Sequence, residues 1–215
     1  DEIESRFSGR LAFGTAGLRG LLGAGPLRMN RLVVRETTAG MGAYLLKTVP
    51  RARERGVIVG YDARRGSRVF AEDAAGVLAA LGLRVYLTDR EQPTPICSFA
   101  VKDRGAAAAV VITASHNPRE YNGYKVYWEN GAQINVPHDA GIAEEIQKAA
   151  EEPIPWMDPA EAELTVLGED LVERYLQGVR RLSLHRSEPR RADFTIAYTP
   201  LHGVGAVVAE RALAE

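Results

Sequence analysis

Cysteine is nearly absent from this sequence, and so is any imbalance of charge. The 215 residues include one cysteine, Cys97, which excludes an internal disulfide framework and favours a reducing compartment. The 27 basic and 28 acidic residues give a formal net charge of −1, so no global field attracts nucleic acid or an anionic membrane. We therefore expect neither of these two as a partner.

Long hydrophobic runs and targeting signals are missing as well. No apolar run approaches the roughly 18 residues that a membrane-spanning helix needs. The chain begins at Asp1 without a signal-like segment, which we interpret as a trimmed or processed start. We expect a cytoplasmic protein, whose 46% hydrophobic content can supply the core of one large domain, or of one domain and part of another.

Apolar runs alternate with helical patterns in the first half of the chain. Three runs predict buried strands: 57–61, 83–87 and 106–112. Three patterns predict helices: 30–50, capped by Asn30, 68–81, capped by Ser67, and about 94–103, with Cys97 in its packed face. This order predicts an α/β fold, a three-layer α/β/α domain with a mixed sheet.

The second half predicts one more strand and two more helices. Residues 120–128 alternate with period two, and Asn130-Gly131 predicts a hairpin turn that leads to a second arm at 132–136. Helices are expected at about 138–150 and 169–184, on either side of an acidic, proline-containing connector at 151–163 that carries Trp156.

The last part of the chain predicts the start of a second domain. The polar cluster 185–191 is typical of an interdomain linker, 194–199 predicts a buried strand, and a helix follows from Ala206. Because a strand and a helix cannot form a core alone, we assign residues 1–188 to a first domain and 189–215 to an incomplete second domain. This incomplete part is expected to let the fragment self-associate.

A polar turn follows the strand predicted at 106–112. It contains Thr113, Ser115, His116 and Asn117, and Pro118 ends the strand because proline cannot donate to a ladder. Open α/β sheets bind ligands at the carboxyl ends of their strands. Ser115 is therefore the central candidate site residue.

Three cationic side chains are candidate partners of a ligand at this turn. Arg19 belongs to the glycine-rich segment 13–20, which is either an anion-binding loop or a flexible linker. Arg64 follows the strand at 57–61 and is expected to pair with Asp62 or with nearby loops. Lys125 lies on the strand face opposite Tyr124 and Val126. Its role is either that of a phosphate clamp, that of a proton shuttle, or that of a solvated residue on an edge strand.

Other chemistries fit the sequence less well. Ser115 lacks a G-x-S-x-G context, and His116 is expected on the opposite face of the strand, so a hydrolase triad is not expected. The segment 13–20 lacks the Gly-Lys-Ser/Thr ending of a Walker A loop. A dinucleotide pattern at Gly203 fails at its third glycine position, Val208, and the four histidines lack metal-ligand spacing.

Four segments, in order along the chain, resemble motifs of the α-D-phosphohexomutases: Phe13–Gly20 (FGTAGLRG), Thr113–Pro118 (TASHNP), Asn122–Tyr127 (NGYKVY) and Tyr198–Gly205 (YTPLHGVG). Within that superfamily, EYNGYK at 120–125 and NGAQI at 130–134 look like the phosphoglucomutase branch that includes phosphopentomutases.

The resemblance implies an isomerase of carbohydrate metabolism that is itself a phosphoprotein. Such an enzyme interconverts sugar 1-phosphates with 6- or 5-phosphates, most simply glucose 1-phosphate with glucose 6-phosphate, through a phosphoserine and a bisphosphate intermediate. The implied catalytic residues are Arg19, Ser115, His116 and Lys125. The implied residues that bind substrate or phosphate are Thr15, Arg19, Arg64, Asn117 and Lys125.

The resemblance also implies two cofactors, and it implies that several functional loops of the family are not part of this sequence. Mg²⁺ is expected to bind through the phosphate on Ser115, and glucose 1,6-bisphosphate is expected to act as an activator. The family's aspartate-rich metal loop, sugar-specificity loop and final phosphate-binding loop do not occur in this sequence. We therefore expect the fragment alone to be inactive. Two alternatives remain open, a non-catalytic phosphosugar-binding relative and an interaction module.

Overall fold

The computed structural model describes residues 1–184 and 195–214. In chain order these residues form α1 (Glu2–Phe7), β1 (Leu18–Leu21), α2 (Arg31–Thr48), α3 (Ala52–Arg55), β2 (Val57–Tyr61), α4 (Ser67–Ala80), β3 (Val85–Thr88), α5 (Thr94–Arg104), β4 (Ala108–Ile112), β5 (Tyr121–Trp128), α6 (His138–Ala149), β6 (Leu164–Leu167), α7 (Glu169–Arg181) and α8 (Ala206–Ala214).

The strands form one mixed sheet in the order β1-β5-β4-β2-β3-β6. Strands β2, β3, β4 and β6 run parallel, whereas β5 is antiparallel to both β1 and β4. One face of the sheet packs on α2, α4 and α6, and the other packs on α5 and α7. The α/β class and the three-layer arrangement are confirmed.

The two central strands explain where the polar residues must lie. Every residue of β2 and β4 is buried, because helices cover both faces of these apolar segments. Polar side chains in this part of the chain therefore lie beyond the ends of β2 and β4, where water and hydrogen-bond partners are available. Asp62 comes directly after β2 and Thr113 directly after β4, at the same edge of the sheet.

Most of the predicted helices and strands are confirmed, with a shift at one cap. Asn30 caps α2, since its Oδ1 accepts a hydrogen bond from the Val33 N–H at 3.0 Å. Cys97 is fully buried in α5, as expected. Ser67 is not the N-cap of α4: Gly66 holds that position, and the Ser67 hydroxyl donates to Asp62 Oδ1 at 2.7 Å instead.

Two segments differ from the prediction. The segment 13–20 was expected to be a loop, but its end belongs to β1, which is stabilised by pairing with β5. Residues 132–136 do not form a second hairpin arm; they make an isolated bridge between Gln133 and Tyr127 and a backbone bond from Ile134 to Val126. The edge strand β6 and the short helices α1 and α3 were not predicted.

The predicted strand at 194–199 is wrong for the residues that can be checked. Residues 195–199 are exposed and form no strand in the described part of the chain. Helix α8 packs on α7, where Arg211 forms ion pairs with Glu169 and Glu173. Val208 of α8 packs against the hydrophobic core on the side of the sheet that α5 and α7 cover. Phe194, the linker 185–191 and the proposed boundary at 188 lie outside the described residues. Self-association stays a prediction.

Helices of bilayer-spanning length and apolarity do not occur within 1–184 and 195–214.

We expect Cys97 to resist thiol reagents while the protein is folded. Burial raises the pKa of the Cys97 thiol to about 12, so the reactive thiolate is scarce near neutral pH. A disulfide reagent such as DTNB should label the folded chain only slowly and label the guanidinium-unfolded chain to one equivalent. Rapid stoichiometric labelling of the folded chain would contradict this expectation.

Candidate functional site

Ser115 sits in a turn with an uncommon backbone conformation. Two buried residues, Thr113 and Ala114, separate it from the end of β4. Ser115 itself is exposed, and its φ is +58°. The left-handed region costs a residue with a Cβ about 1 kcal/mol. The Ser115 N–H donates to Thr113 Oγ1 at 2.9 Å, which stabilises the turn. A strained residue at the carboxyl end of a strand is a reason to look for function there.

His116 lies closer to the serine hydroxyl than expected. Ser115 Oγ and His116 Nδ1 are 3.5 Å apart. The expectation that these side chains point to opposite faces was wrong, because both residues lie in the turn rather than in the strand. In the described residues no hydrogen bond joins His116 to a carboxylate, so the third member of a hydrolase triad is missing.

Arg19 reaches the same turn from the neighbouring strand. The register pairs Arg19 with Gly123, and its Nη1 donates to Asn117 Oδ1 at 3.1 Å. Gly123 makes room for this side chain, because an added Cβ would lie 3.1 Å from Arg19 Cγ and 2.6 Å from the Leu18 carbonyl. Arg19 Nε is buried and has no hydrogen-bond partner among the described residues, which is uncommon for a buried N–H group.

Lys125 lies on the same sheet face as Arg19, two residues beyond Gly123. Tyr124 and Val126 are fully buried on the opposite face, as expected. Burial lowers the pKa of Lys125, the nearby charge of Arg19 lowers it further, and Asp62 acts in the other direction. The lysine therefore releases its proton more readily than an exposed lysine does.

Arg64 contacts the serine turn through backbone groups. Its two terminal nitrogens donate to the carbonyl oxygens of Ser115, Asn117, Pro118 and Tyr121 at 2.7 to 3.1 Å. Its Nε lies 3.4 Å from Asp62 Oδ2. The expected pairing with Asp62 and with nearby loops is thus confirmed, whereas phosphate binding by Arg64 stays a prediction.

The glycine-rich segment is an anchored turn rather than a flexible linker. Gly14 and Gly17 exchange backbone hydrogen bonds of 3.1 and 2.7 Å. Gly17 has φ +80°, and an added Cβ would lie 2.0 Å from the Tyr124 carbonyl oxygen. Thr15 is exposed at this turn, and its carbonyl accepts a bond from Gln133 Nε2 at 2.9 Å.

A buried polar network below the serine turn was not predicted. Asn122 is fully buried in β5, and its Nδ2 donates to the Arg65 carbonyl and to Ser67 Oγ, both at 3.0 Å. Ser67 in turn donates to Asp62. Asparagine is uncommon in strands, so Asn122 was the signal that could have revealed this network.

The described residues do not make a magnesium site by themselves. In the ranges 1–184 and 195–214 no three His, Cys, Asp or Glu side chains form a group that could hold a metal ion. The side chains that approach the serine turn are cationic, and the carboxylate of Asp62 is already bonded to Arg64 and Ser67. Mg²⁺ binding through Ser115 stays a prediction.

Comparison with known proteins identifies relatives for most of the chain. Residues 10–153 match the family model described as phosphoglucomutase/phosphomannomutase, alpha/beta/alpha domain I. A Schizosaccharomyces pombe protein named "Probable phosphoribomutase" is 43% identical over 201 residues, which cover 91% of this chain and 34% of the relative. Human phosphopentomutase is 38% identical over 215 residues, which cover 95% of this chain and 35% of the relative.

A solved structure shares the fold. The crystal structure of the Paramecium phosphoglucomutase pp63/parafusin, in its open form, aligns with a TM-score of 0.66 at 16% identity, covering 94% of this chain and 41% of that one. At this identity the likeness shows the fold alone. The chain spans about a third of the length of the curated relatives it matches.

We expect Gly17→Ala to destabilise the protein and Gly14→Ala to leave it nearly unchanged. The first substitution combines a positive φ with a backbone clash, so the free energy of unfolding should fall by about 2 kcal/mol or more. At Gly14 an added Cβ meets no atom within 4 Å, so its change should stay within about 0.5 kcal/mol. Urea unfolding measures both, and equal effects would show that the contact with Tyr124 is unimportant.

We also expect Lys125 to titrate below the ordinary lysine value of 10.5. Since the folded state binds this proton more weakly than the unfolded state, the contribution of Lys125 to stability rises as the pH increases from its folded pKa to the unfolded value. NMR titration of the lysine side chain measures the pKa directly. Arg19→Gln should raise it, because a like charge is removed, whereas the control Arg119→Gln should not. A wild-type pKa at or above 10.5 would contradict the burial argument.

Proposed function

Because the chain belongs to the phosphoglucomutase/phosphomannomutase family, we propose that it is the phosphoserine-carrying part of a phosphosugar mutase. One observation carries this proposal: the exposed Ser115 is held in a left-handed turn at the carboxyl end of β4, and Arg19 from β1 donates a hydrogen bond to Asn117 in the same turn. Phosphoryl transfer needs mainly positioning and stabilisation of negative charge, and this arrangement offers both.

The proposed reaction transfers one phosphoryl group out and one back. A sugar phosphate hydroxyl attacks the phosphorus on Ser115, the bond from phosphorus to Oγ breaks, and a sugar bisphosphate forms. After the bisphosphate turns round, Ser115 Oγ attacks its other phosphoryl group and regains a phosphate. Each transfer moves one proton between hydroxyl oxygens through a base. We assign this role to Lys125, which lies on the same sheet face as Arg19 and has a lowered pKa.

The remaining site residues have supporting roles in the proposal. A phosphoserine carries about −1.5 to −2 charges, which the guanidinium of Arg19 offsets. His116 borders the phosphate, as its 3.5 Å contact with Ser115 Oγ supports. Asn117 aims Arg19 through its amide oxygen, and the exposed Thr15 offers a hydroxyl to an incoming phosphate.

The substrate is a sugar phosphate, and two candidates are worth comparing. The sequence motifs suggested glucose 1-phosphate and glucose 6-phosphate as the first pair. The relatives named phosphoribomutase and phosphopentomutase favour a pentose 1-phosphate and 5-phosphate pair. A full-length protein assayed with both pairs decides between them through the ratio of kcat/KM values.

We expect the full-length protein to take up one phosphate on Ser115. Incubation with glucose 1,6-bisphosphate, followed by intact-protein mass spectrometry, should show a single added phosphate. Ser115→Ala should abolish both this phosphate and turnover in a coupled assay, because the other hydroxyl of the turn, on Thr113, is buried and accepts a bond from the backbone N–H of residue 115. Ser8→Ala, which changes an exposed serine after α1, is the matched control and should behave as wild type.

Two results would count against the proposal. An unmodified wild-type protein, or a phosphate retained in Ser115→Ala, would exclude Ser115 as the phosphoryl carrier. The 215-residue chain assayed alone is expected to give no turnover, and activity above background would overturn the inference that further site residues are needed.

A further inference from the structure

The Arg64 side chain has no hydrogen-bond donor left for a ligand. An arginine carries five N–H donors, one on Nε and two on each terminal nitrogen. Nη2 donates to the carbonyls of Ser115 and Asn117, both at 2.7 Å. Nη1 donates to the carbonyls of Pro118 and Tyr121 at 2.9 and 3.1 Å, and Nε faces Asp62. A phosphate could bind this guanidinium only by displacing bonds that the turn already uses.

The four acceptors share a structural need. Three of them, the carbonyls of Ser115, Asn117 and Pro118, belong to the turn between β4 and β5, and the fourth is the carbonyl of Tyr121, the first residue of β5. Backbone carbonyls that pack against protein must find donors, and a charged donor bonds about twice as strongly as a neutral one. One planar side chain therefore bonds carbonyls from Ser115 to Tyr121, and the Pro118 carbonyl also accepts the Tyr121 N–H at 3.0 Å.

Arg64 is in turn held by buried groups. Its side chain is 15% exposed, and Asp62 Oδ1 accepts bonds from the Arg64 N–H at 3.0 Å and from Ser67 Oγ at 2.7 Å. Ser67 is fixed by Asn122 at the start of β5. The Arg64 side chain thus links the end of β2 to the turn after β4. A lysine ammonium group cannot reproduce this link, because it lacks the planar arrangement of donors.

We propose that Arg64 is a positioning residue, which sets the left-handed conformation of Ser115 for phosphoryl transfer, rather than the phosphate-binding residue that the sequence suggested. This inference rests on the proposed function for its catalytic part only. The conformational part concerns the turn itself and can be measured without any turnover.

The first measurement compares hydrogen exchange in wild type, Arg64→Lys and the matched control Arg65→Lys. Arg65 is the exposed neighbour and makes none of the four carbonyl bonds. In Arg64→Lys, amides in peptides that cover 114–122 should exchange about tenfold faster or more, because several bonds from a charged donor are lost. Peptides from β3 and α5 should keep the wild-type rate. Arg65→Lys should match wild type throughout.

The second measurement uses the full-length protein and sugar phosphate kinetics. A misplaced serine impairs the transfer step, so Arg64→Lys should lower kcat about tenfold or more and leave KM within about twofold. Arg65→Lys should change neither. Should Arg64→Lys fail to fold, Asp62→Asn serves in the exchange measurement, since it keeps the side-chain volume and weakens the hold on Arg64, and the same faster exchange at 114–122 is expected. It does not serve in the kinetic measurement, because Asp62 also acts on the pKa of Lys125.

The outcomes separate the two proposals. Wild-type exchange at 114–122 in the folded variant overturns the positioning role. A higher KM with unchanged kcat also overturns it, because that pattern belongs to a substrate-binding arginine. If the wild-type full-length protein shows no mutase activity, the proposed function fails, whereas faster exchange confined to the turn still supports the positioning of Ser115 by Arg64.

Discussion

The register of β5 against its two neighbours is the constraint on which the site depends. Tyr124 pairs with Leu18 on one side and with Ile112 on the other, and its fully buried side chain fixes which face of β5 meets the core. A slip by one residue would send every side chain of β5 to the other face. Lys125 would then enter the core and leave the face it shares with Arg19. The charge of the site is thus set by a backbone pairing.

Much of the fold could be predicted because the central strands and the core helices carry strong local patterns. The runs that became β2 and β4 are apolar throughout, which only burial on both faces allows. The edge strands could not be predicted in this way. Strand β1 is four residues long and contains Arg19 and Gly20, and it exists because β5 pairs with it. Strand β6 leaves Val166 exposed, so its pattern carries no clear sign of a buried face.

The site was predictable in its location and less so in its geometry. A polar turn after an apolar strand pointed to Ser115, and the alternation in β5 pointed to Lys125. Neither pattern contains the positive φ of Ser115 or the short distance to His116, because both depend on how the turn is held from outside. Arg64 shows why: its bonds go to backbone carbonyls, which look alike in every sequence. The chemistry of a side chain can be inferred from the amino-acid sequence. The backbone carbonyls that a side chain binds can be identified only from the structure.

The separation of the site's parts along the chain has a consequence for the order of folding. Arg19 and Asn117 are 98 residues apart, and Gln133 and Thr15 are 118 apart. Contacts of such high sequence separation lose loop-closure entropy before any bond compensates for it, so they form after the local helices and the parallel strands have collapsed. We therefore expect most of the hydrophobic core of a newly synthesised chain to form before Arg19 contacts the serine turn. The molecule then becomes compact before the site around Ser115 is complete.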